Sequence, residues 1–184
     1  MKYLSMIILA WMSLLSQTGQ NLYVCKNARI NLFSSAPIED IRAVSSAGAS
    51  VYNPASGELD FSVAIRTFQF EKSLMQDHFN SDYMESDKYP RAIFKGIIKE
   101  PVDITKDGTY SITAGGDLTV HGITKKRTVP GTLTVKNGTI TMTASFVVKC
   151  ADHRIDIPRI VFHNIAEEIK IDVSATYIKY NPSK

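Results

Sequence analysis

Residues 132–149 read TLTVKNGTITMTASFVVK, and this stretch decides the fold. Beyond Thr139, apolar residues alternate with threonine, serine and other side chains as far as Lys149. Successive side chains of a β-strand point to opposite faces, so this alternation predicts a strand with one dry and one wet face. Asn137-Gly138 precedes it, and both central residues of a type I′ turn need positive φ. The stretch therefore predicts two antiparallel strands joined by a two-residue hairpin turn.

The same alternation recurs along the chain, most clearly at residues 58–66, 112–121 and 169–177. Short links between consecutive strands imply antiparallel neighbours. Such strands, each with one apolar face, either close into a barrel or stack as a sandwich, and closure leaves no long exposed edge. Eight strands are predicted, near residues 28–34, 40–52, 58–66, 91–99, 109–121, 123–135, 139–149 and 168–178.

A segment near residues 69–87 interrupts the strand pattern. Phe70, Leu74 and His78 recur there at helical spacing, which predicts a short helical insertion between strands. A second short helix is expected from about Ser81 to Asp87. The insertion could complete the core as a plug or cover a cavity as a lid, and the sequence pattern does not separate these two roles.

The N-terminus has the layout of a secretory signal peptide. Lys2 supplies a positive start, an apolar run extends from Tyr3 to Leu15, and residues 16–20 are small or polar. The run is short for a membrane span, although an uncleaved anchor is the alternative. Residues 1–20 are therefore expected to be a signal peptide of a periplasmic or secreted protein. Residues 21–184 fit one domain, for which no integral membrane span is expected after signal removal.

The charge balance is typical of neither a nucleic-acid-binding protein nor a highly acidic protein. The formal net charge is +3, and the charges are dispersed. The longest basic run is Lys125-Lys126-Arg127, which we interpret as a solvated turn or edge in preference to a phosphate site. We expect no nucleic-acid partner, and protein partners are left open.

The sequence contains two cysteines, Cys25 and Cys150. Disulfides persist in exported proteins, and an even number of cysteines permits a bridge without proving one. A disulfide bond would enclose most of the mature chain in one loop. For such a loop the chain-entropy model gives a stabilisation of the fold of up to roughly 5 kcal/mol. The alternative is that both are small buried hydrophobic residues.

Residues for metal or nucleophilic chemistry lack the required spacing. The histidines are His78, His121, His153 and His163, and no pair has the helical i, i+4 spacing or the His-x-His spacing of a strand. No Gly-x-Ser-x-Gly motif occurs, and no base lies near either cysteine in sequence. We therefore expect no catalytic residues, no metal, no required cofactor and no enzyme activity.

Two motifs are similar to those of the YceI-like family. Residues 68–96 read FQFEKSLMQDHFNSDYMESDKYPRAIFKG, with the His-Phe pair, the Met-Glu pair and the Tyr-Pro-x-Ala-x-Phe run of that family. Residues 116–125 read GDLTVHGITK and resemble the family's G-x-L-T-x-H-G-x-T-K hairpin. A third stretch, residues 154–158, has Ile157-Pro158 where family members often carry Phe-Gly. We therefore assign no function to it from the resemblance.

The resemblance implies an eight-stranded antiparallel up-and-down barrel, similar to a lipocalin, with a helical insertion and an elongated apolar cavity. It also implies a periplasmic carrier for an isoprenoid lipid or quinone held inside the barrel. A barrel of this size can hold one slim ligand. The side chains expected to line the cavity are Phe61, Val63, Ile65, Phe68, Phe70, Leu74, Phe79, Met84, Phe94, Leu118, Val120, Met142 and Phe146.

Arg66, Lys72, His78 and Arg91 flank the insertion and are candidates to meet a phosphate or a quinone carbonyl. The alternative for each of them is that it simply solvates the surface. The alternative for the whole domain is a solid core, which would make the protein a secreted interaction or stress-related domain without a bound lipid.

Overall fold

The computed structural model describes residues 21–35, 40–157 and 167–181, so the predicted signal peptide lies outside the described residues. Within them the chain is almost entirely β-structure, as the alternation predicts. The strands are β1 (Tyr23–Ser34), β2 (Ile41–Tyr52), β3 (Glu58–Ala64), β4 (Gln69–Phe70), β5 (Arg91–Ile98), β6 (Gly108–Val120), β7 (Ile123–Lys136), β8 (Thr139–Lys149) and β9 (Glu168–Lys179).

Eight of these strands form a closed antiparallel barrel, which confirms the predicted fold class. The order around the barrel is β1-β9-β8-β7-β6-β5-β3-β2, and pairing of β1 with β2 closes it. The two-residue β4 is extra and pairs only with β2. Strand β1 begins five residues before its predicted start. The adjacent exposed residues Lys26 and Asn27 form an irregularity in β1 that breaks the alternation there.

Two tight hairpin turns set the register of the β6–β7–β8 meander. Asn137 and Gly138 have φ of 49° and 74°, and His121 and Gly122 have φ of 49° and 71°. Positive φ at both central residues is the type I′ geometry, whose twist matches that of paired strands. The hairpin predicted from Asn137-Gly138 is therefore present.

The insertion contains one short helix, α1 (Ser73–His78), followed directly by a π-helical turn at Phe79–Tyr83. The second helix expected from about Ser81 to Asp87 is not formed. The backbone N–H of Met84 instead donates to the carbonyl oxygen of Phe79, five residues back. Glu85 then has φ of 41°, a left-handed conformation that a right-handed helix cannot continue through.

Buried apolar side chains form two clusters inside the barrel. The cluster around Tyr52 and Tyr177 marks what we call the tyrosine end, and the cluster around Phe68 marks the insertion end. The buried members at the tyrosine end are Cys25, Ala28, Tyr52, Ile98, Ile112, Ala114, Leu133, Val135, Ile140, Met142, Ala175 and Tyr177. Those at the insertion end are Ile30, Ala43, Val63 and Phe68, with Phe79 packed against them.

Strands β7 and β8 separate toward the insertion end. β7 pairs with β6 along its whole length, but its ladder with β8 covers only Gly131–Lys136. Beyond that point β8 continues to Lys149 paired with β9. The separation begins at Pro130, which has no backbone N–H to donate to a ladder. A 3₁₀ turn at Cys150–His153 lies against β7 at the same end.

Candidate functional site

An apolar cavity lies inside the barrel and reaches from the tyrosine end to the insertion end. Its volume is about 220 Å³. Its wall is almost entirely hydrocarbon, and the polar exceptions are Thr143, Cys150 and Tyr177. The interior is therefore not a solid core. An eight-stranded barrel with such a lining can take one slim apolar molecule.

Eleven of the thirteen side chains expected in the wall are found there. They are Phe61, Val63, Ile65, Phe68, Phe79, Met84, Phe94, Leu118, Val120, Met142 and Phe146. Phe70 lies outside the wall and packs against Phe79, with ring centroids 4.9 Å apart. Leu74 also lies outside it, with 65% of its surface exposed. Helical spacing alone does not show which face of so short a helix turns inward.

The sequence reasoning missed the contribution of β1 and β9 to the wall. Ile30 and Leu32 of β1 line the cavity, and so do Ile169, Ile171, Val173, Ala175 and Tyr177 of β9. The row in β9 alternates in the sequence as clearly as the rows of β3 and β8. The alternation could therefore have predicted that these residues of β9 line the cavity. Small residues such as Ala92, Ala114 and Ala144 also line the cavity.

An aromatic row crosses the middle of the cavity. Phe61 faces Phe94 across the β3–β5 ladder, and Phe94 faces Leu118 across the β5–β6 ladder. Next to this row, Gly96 faces Gly116. A Cβ on Gly96 would lie 2.7 Å from the ring of Phe94, so that ring covers the glycine. The missing side chain is what allows the aromatic ring to lie flat against the wall.

The tyrosine end of the cavity carries a hydrogen-bonded pair of hydroxyl groups. Ser50 Oγ donates to the carbonyl oxygen of Asp60 at 2.7 Å, and the Tyr177 hydroxyl lies 2.8 Å from Ser50 Oγ. Because the only hydrogen of Ser50 is engaged with Asp60, Tyr177 is the donor in the second bond. Burial raises the pKa of Tyr177, so its hydroxyl stays neutral.

A second polar network ties the insertion to the barrel at the opposite end. His121 Nε2 lies 2.7 Å from Glu85 Oε2, and His121 Nδ1 lies 3.1 Å from the carbonyl oxygen of His153. His153 Nδ1 lies 3.0 Å from the carbonyl oxygen of Ile123, and burial lowers the pKa of its ring. These contacts join three segments that are distant in sequence. They fix Met84, the neighbour of Glu85, in the cavity wall.

The four headgroup candidates lie outside the cavity wall. Arg66 forms an ion pair with Asp87, and Arg91 Nε donates to Ser62 Oγ at 2.8 Å. His78 Nδ1 lies 2.6 Å from Asp82 Oδ2. Lys72 is exposed at the start of α1. All four belong to the outer surface near the insertion end.

The disulfide considered between Cys25 and Cys150 does not fit the structure. Both residues are free thiols and both are buried. Cys25 belongs to the cluster at the tyrosine end, whereas the backbone N–H of Cys150 donates to the carbonyl oxygen of Glu167, immediately before β9. The two ends of β9 are ~35 Å apart at ~3.3 Å per residue, and a disulfide needs Cα atoms within ~7 Å. In this structure Cys25 and Cys150 are two separate buried thiols.

Metal-binding clusters and membrane-spanning helices are absent from the described residues. Residues 21–35, 40–157 and 167–181 contain no group of three or more His, Cys, Asp or Glu side chains placed to hold a metal ion. His163 lies outside these ranges. In the same part of the chain, no helix is long and apolar enough to cross a membrane.

Comparison with protein families gives a match over most of the chain. The model of the YceI-like domain matches residues 33–177. A search of curated proteins gives no match.

Solved structures with the same fold support this match. A polyisoprenoid-binding domain from Saccharophagus degradans, implicated in plant cell wall breakdown, superposes with a TM-score of 0.73 at 12% identity, covering 88% of this chain and 99% of that one. BcnA from Burkholderia cenocepacia has a TM-score of 0.68 at 16% identity, covering 81% of this chain and 95% of that one. A YceI protein from Campylobacter jejuni has a TM-score of 0.59 at 18% identity, covering 78% of this chain and 87% of that one. At these identities the likeness is one of fold.

Proposed function

This chain belongs to the family of YceI-like domains, and from that premise we propose that it is a periplasmic or secreted carrier of an isoprenoid lipid or quinone. The observation that carries the proposal is the cavity, whose wall is hydrocarbon from Tyr177 to Met84. The solved polyisoprenoid-binding domain of the same fold supports an isoprenoid as the class of ligand.

Burial alone can supply the affinity for such a ligand. Each CH₂ group removed from water contributes about 0.8 kcal/mol, so a long tail needs no hydrogen bond to bind. The rings of Phe61 and Phe94 and the alkyl side chains of β9 offer contact along the whole length of the cavity. A linear tail suits this shape better than a compact ligand, because the interior of an eight-stranded barrel is narrow.

Sequestration is the proposed mode of action, without a chemical step. Tyr177, a polar side chain in the wall, already donates its hydrogen to Ser50. Burial raises the pKa of the Cys150 thiol to about 11, which keeps it in the neutral, weakly nucleophilic form at neutral pH. The apolar N-terminal run supports export before ligand binding.

The experiment that tests the function is organic extraction of the protein, expressed with residues 1–20 in place, followed by mass spectrometry. A stoichiometric isoprenoid species in the extract is the expected result. An empty protein that also fails to take up added quinones and prenyl alcohols would contradict the proposal. It would then favour the alternative of a secreted interaction domain.

A further inference from the structure

A basic residue of β7, Arg127, lies beside the 3₁₀ turn at the insertion end. Residues directly opposite each other in a ladder share a face of the sheet. Arg127 faces Gly116 across the β6–β7 ladder. Two residues along β6 from Gly116, on the same face, Leu118 lines the cavity. Val129, two residues along β7 from Arg127, lines the cavity as well. Arg127 therefore belongs to the inward row of its strand.

The interpretation of Lys125-Lys126-Arg127 as a solvated edge is wrong for Arg127. Lys126 has an 85% exposed side chain and pairs with Asp117 on the outer face. By contrast, only 24% of the Arg127 side chain is exposed. The composition of the run does not show this difference, because Lys126 and Arg127 are both basic and lie on opposite sides of the strand.

The guanidinium group of Arg127 lies where β7 and β8 have separated. Its Nη2 donates to Asp152 Oδ2 at 3.0 Å, and Asp152 belongs to the 3₁₀ turn that follows β8. Cys150, in the same turn, lines the cavity. The Nε of Arg127 is buried, and no acceptor within the described residues reaches it. A buried N–H group without a partner costs free energy that an incoming acceptor can recover.

Among the described residues of the cavity wall, the tyrosine end offers no free donor of this kind. The hydrogens of Ser50 and Tyr177 are both engaged, the first with Asp60 and the second with Ser50. An anionic headgroup placed there would lose its hydrogen bonds to water and would find no free donor in Ser50 or Tyr177 to replace them. The two ends of the cavity therefore differ in chemistry. One end suits a hydrocarbon terminus, and the other has a cation with an unused donor.

We propose that Arg127 receives an oxyanion headgroup, such as a phosphate, of an isoprenoid ligand whose tail points to Tyr177. This assignment rests on the proposed function and adds to it the orientation of the ligand and the charge of its headgroup. A charge-assisted hydrogen bond from Arg127 distinguishes an anionic headgroup from a neutral one on the same tail.

The test uses two probes with the same tail, geranylgeranyl phosphate and geranylgeraniol, in calorimetric titrations of the full chain. The wild type is expected to bind the phosphate roughly tenfold to a hundredfold tighter than the alcohol. Arg127→Met is expected to remove this preference by weakening phosphate binding far more than alcohol binding, because a methionine can fill the space of the arginine stem without its charge. Arg127→Lys is expected to keep part of the preference.

Lys126→Met is the matched control, since it removes a neighbouring charge from the outer face. It is expected to change neither affinity. Equal affinity of the wild type for the two probes would overturn the assignment of Arg127 but not the carrier function. Equal weakening of both probes by Arg127→Met, at unchanged thermal stability, would also overturn it. Failure of the wild type to bind either probe would overturn both proposals.

Discussion

Phe61 and Phe94 face each other across the β3–β5 ladder, and both rings line the cavity. Phe94 also faces Leu118 on the next strand and covers Gly96 on its own. The middle of the cavity is therefore formed by one continuous row of large apolar side chains.

Phe94→Arg is expected to abolish uptake of geranylgeraniol and to destabilise the fold by several kcal/mol, because it places an unpaired charge in an apolar interior. Ile97→Arg is the matched control, since Ile97 lies on the same strand and is 52% exposed on the outer face. We expect it to change neither property. Titration with the alcohol and thermal unfolding measure both. Undiminished uptake by Phe94→Arg would show that the ligand binds elsewhere.

Gly116→Ala is expected to destabilise the protein by about 1–3 kcal/mol. A Cβ at this position would lie 2.2 Å from the carbonyl oxygen of Lys95, so the β5–β6 backbone would have to move apart. Gly115→Ala provides the comparison, because its Cβ would meet the flexible side chain of Lys99 at 3.1 Å. Urea denaturation of both variants measures the difference. Equal stability of the two would contradict the close approach of β5 and β6.

The two cysteines are expected to react as free thiols only after unfolding. Cys25 and Cys150 are 3% and 7% exposed, and they lie at opposite ends of the barrel. Reaction with a thiol reagent should be slow for the native protein and should give two thiols per chain in denaturant. A count of zero in denaturant, with a monomer mass, would mean that an internal disulfide exists and that the strand arrangement differs.

Stability is expected to fall in mildly alkaline solution, in part because of Cys150. Burial, aided by the charge of Glu167, raises the pKa of this thiol from 9.0 to about 11. The unfolded chain releases the proton first, so the stabilising contribution is complete below pH ~9 and is lost as the pH rises to ~11, a change on the order of 2–3 kcal/mol. Urea denaturation across this range measures it.

Cys150→Ala serves as the control for the alkaline effect. The variant should show a smaller fall in the free energy of unfolding over the same pH range, since its side chain cannot ionise. The raised pKa of Tyr177 has the same sign and should remain in the variant. Identical pH profiles for the two proteins would show that Cys150 is not buried in the folded state.

The fold was predictable from the sequence because its strongest determinants are local. Alternation in β3, β6, β8 and β9 and the Asn137-Gly138 turn act within one strand or hairpin. The residues lining the cavity in β3 and β8 followed from the same alternation. By contrast, the position of Leu74 depended on how a six-residue helix rotates on the barrel, and that of Arg127 on where β7 leaves β8. Neither is encoded by a pattern along one segment.

Closure of the barrel by β1 has a consequence for folding. The β6–β7–β8 meander contains only contacts between strands that are neighbours in sequence, whereas β1 must also pair with β9, the last strand. Contacts between distant parts of a chain carry a larger loop-closure entropy and tend to form late. We therefore expect the β1–β9 ladder to form last. The enclosed space for a ligand would then exist only after the final folding step, so that ligand capture reports on completed folding.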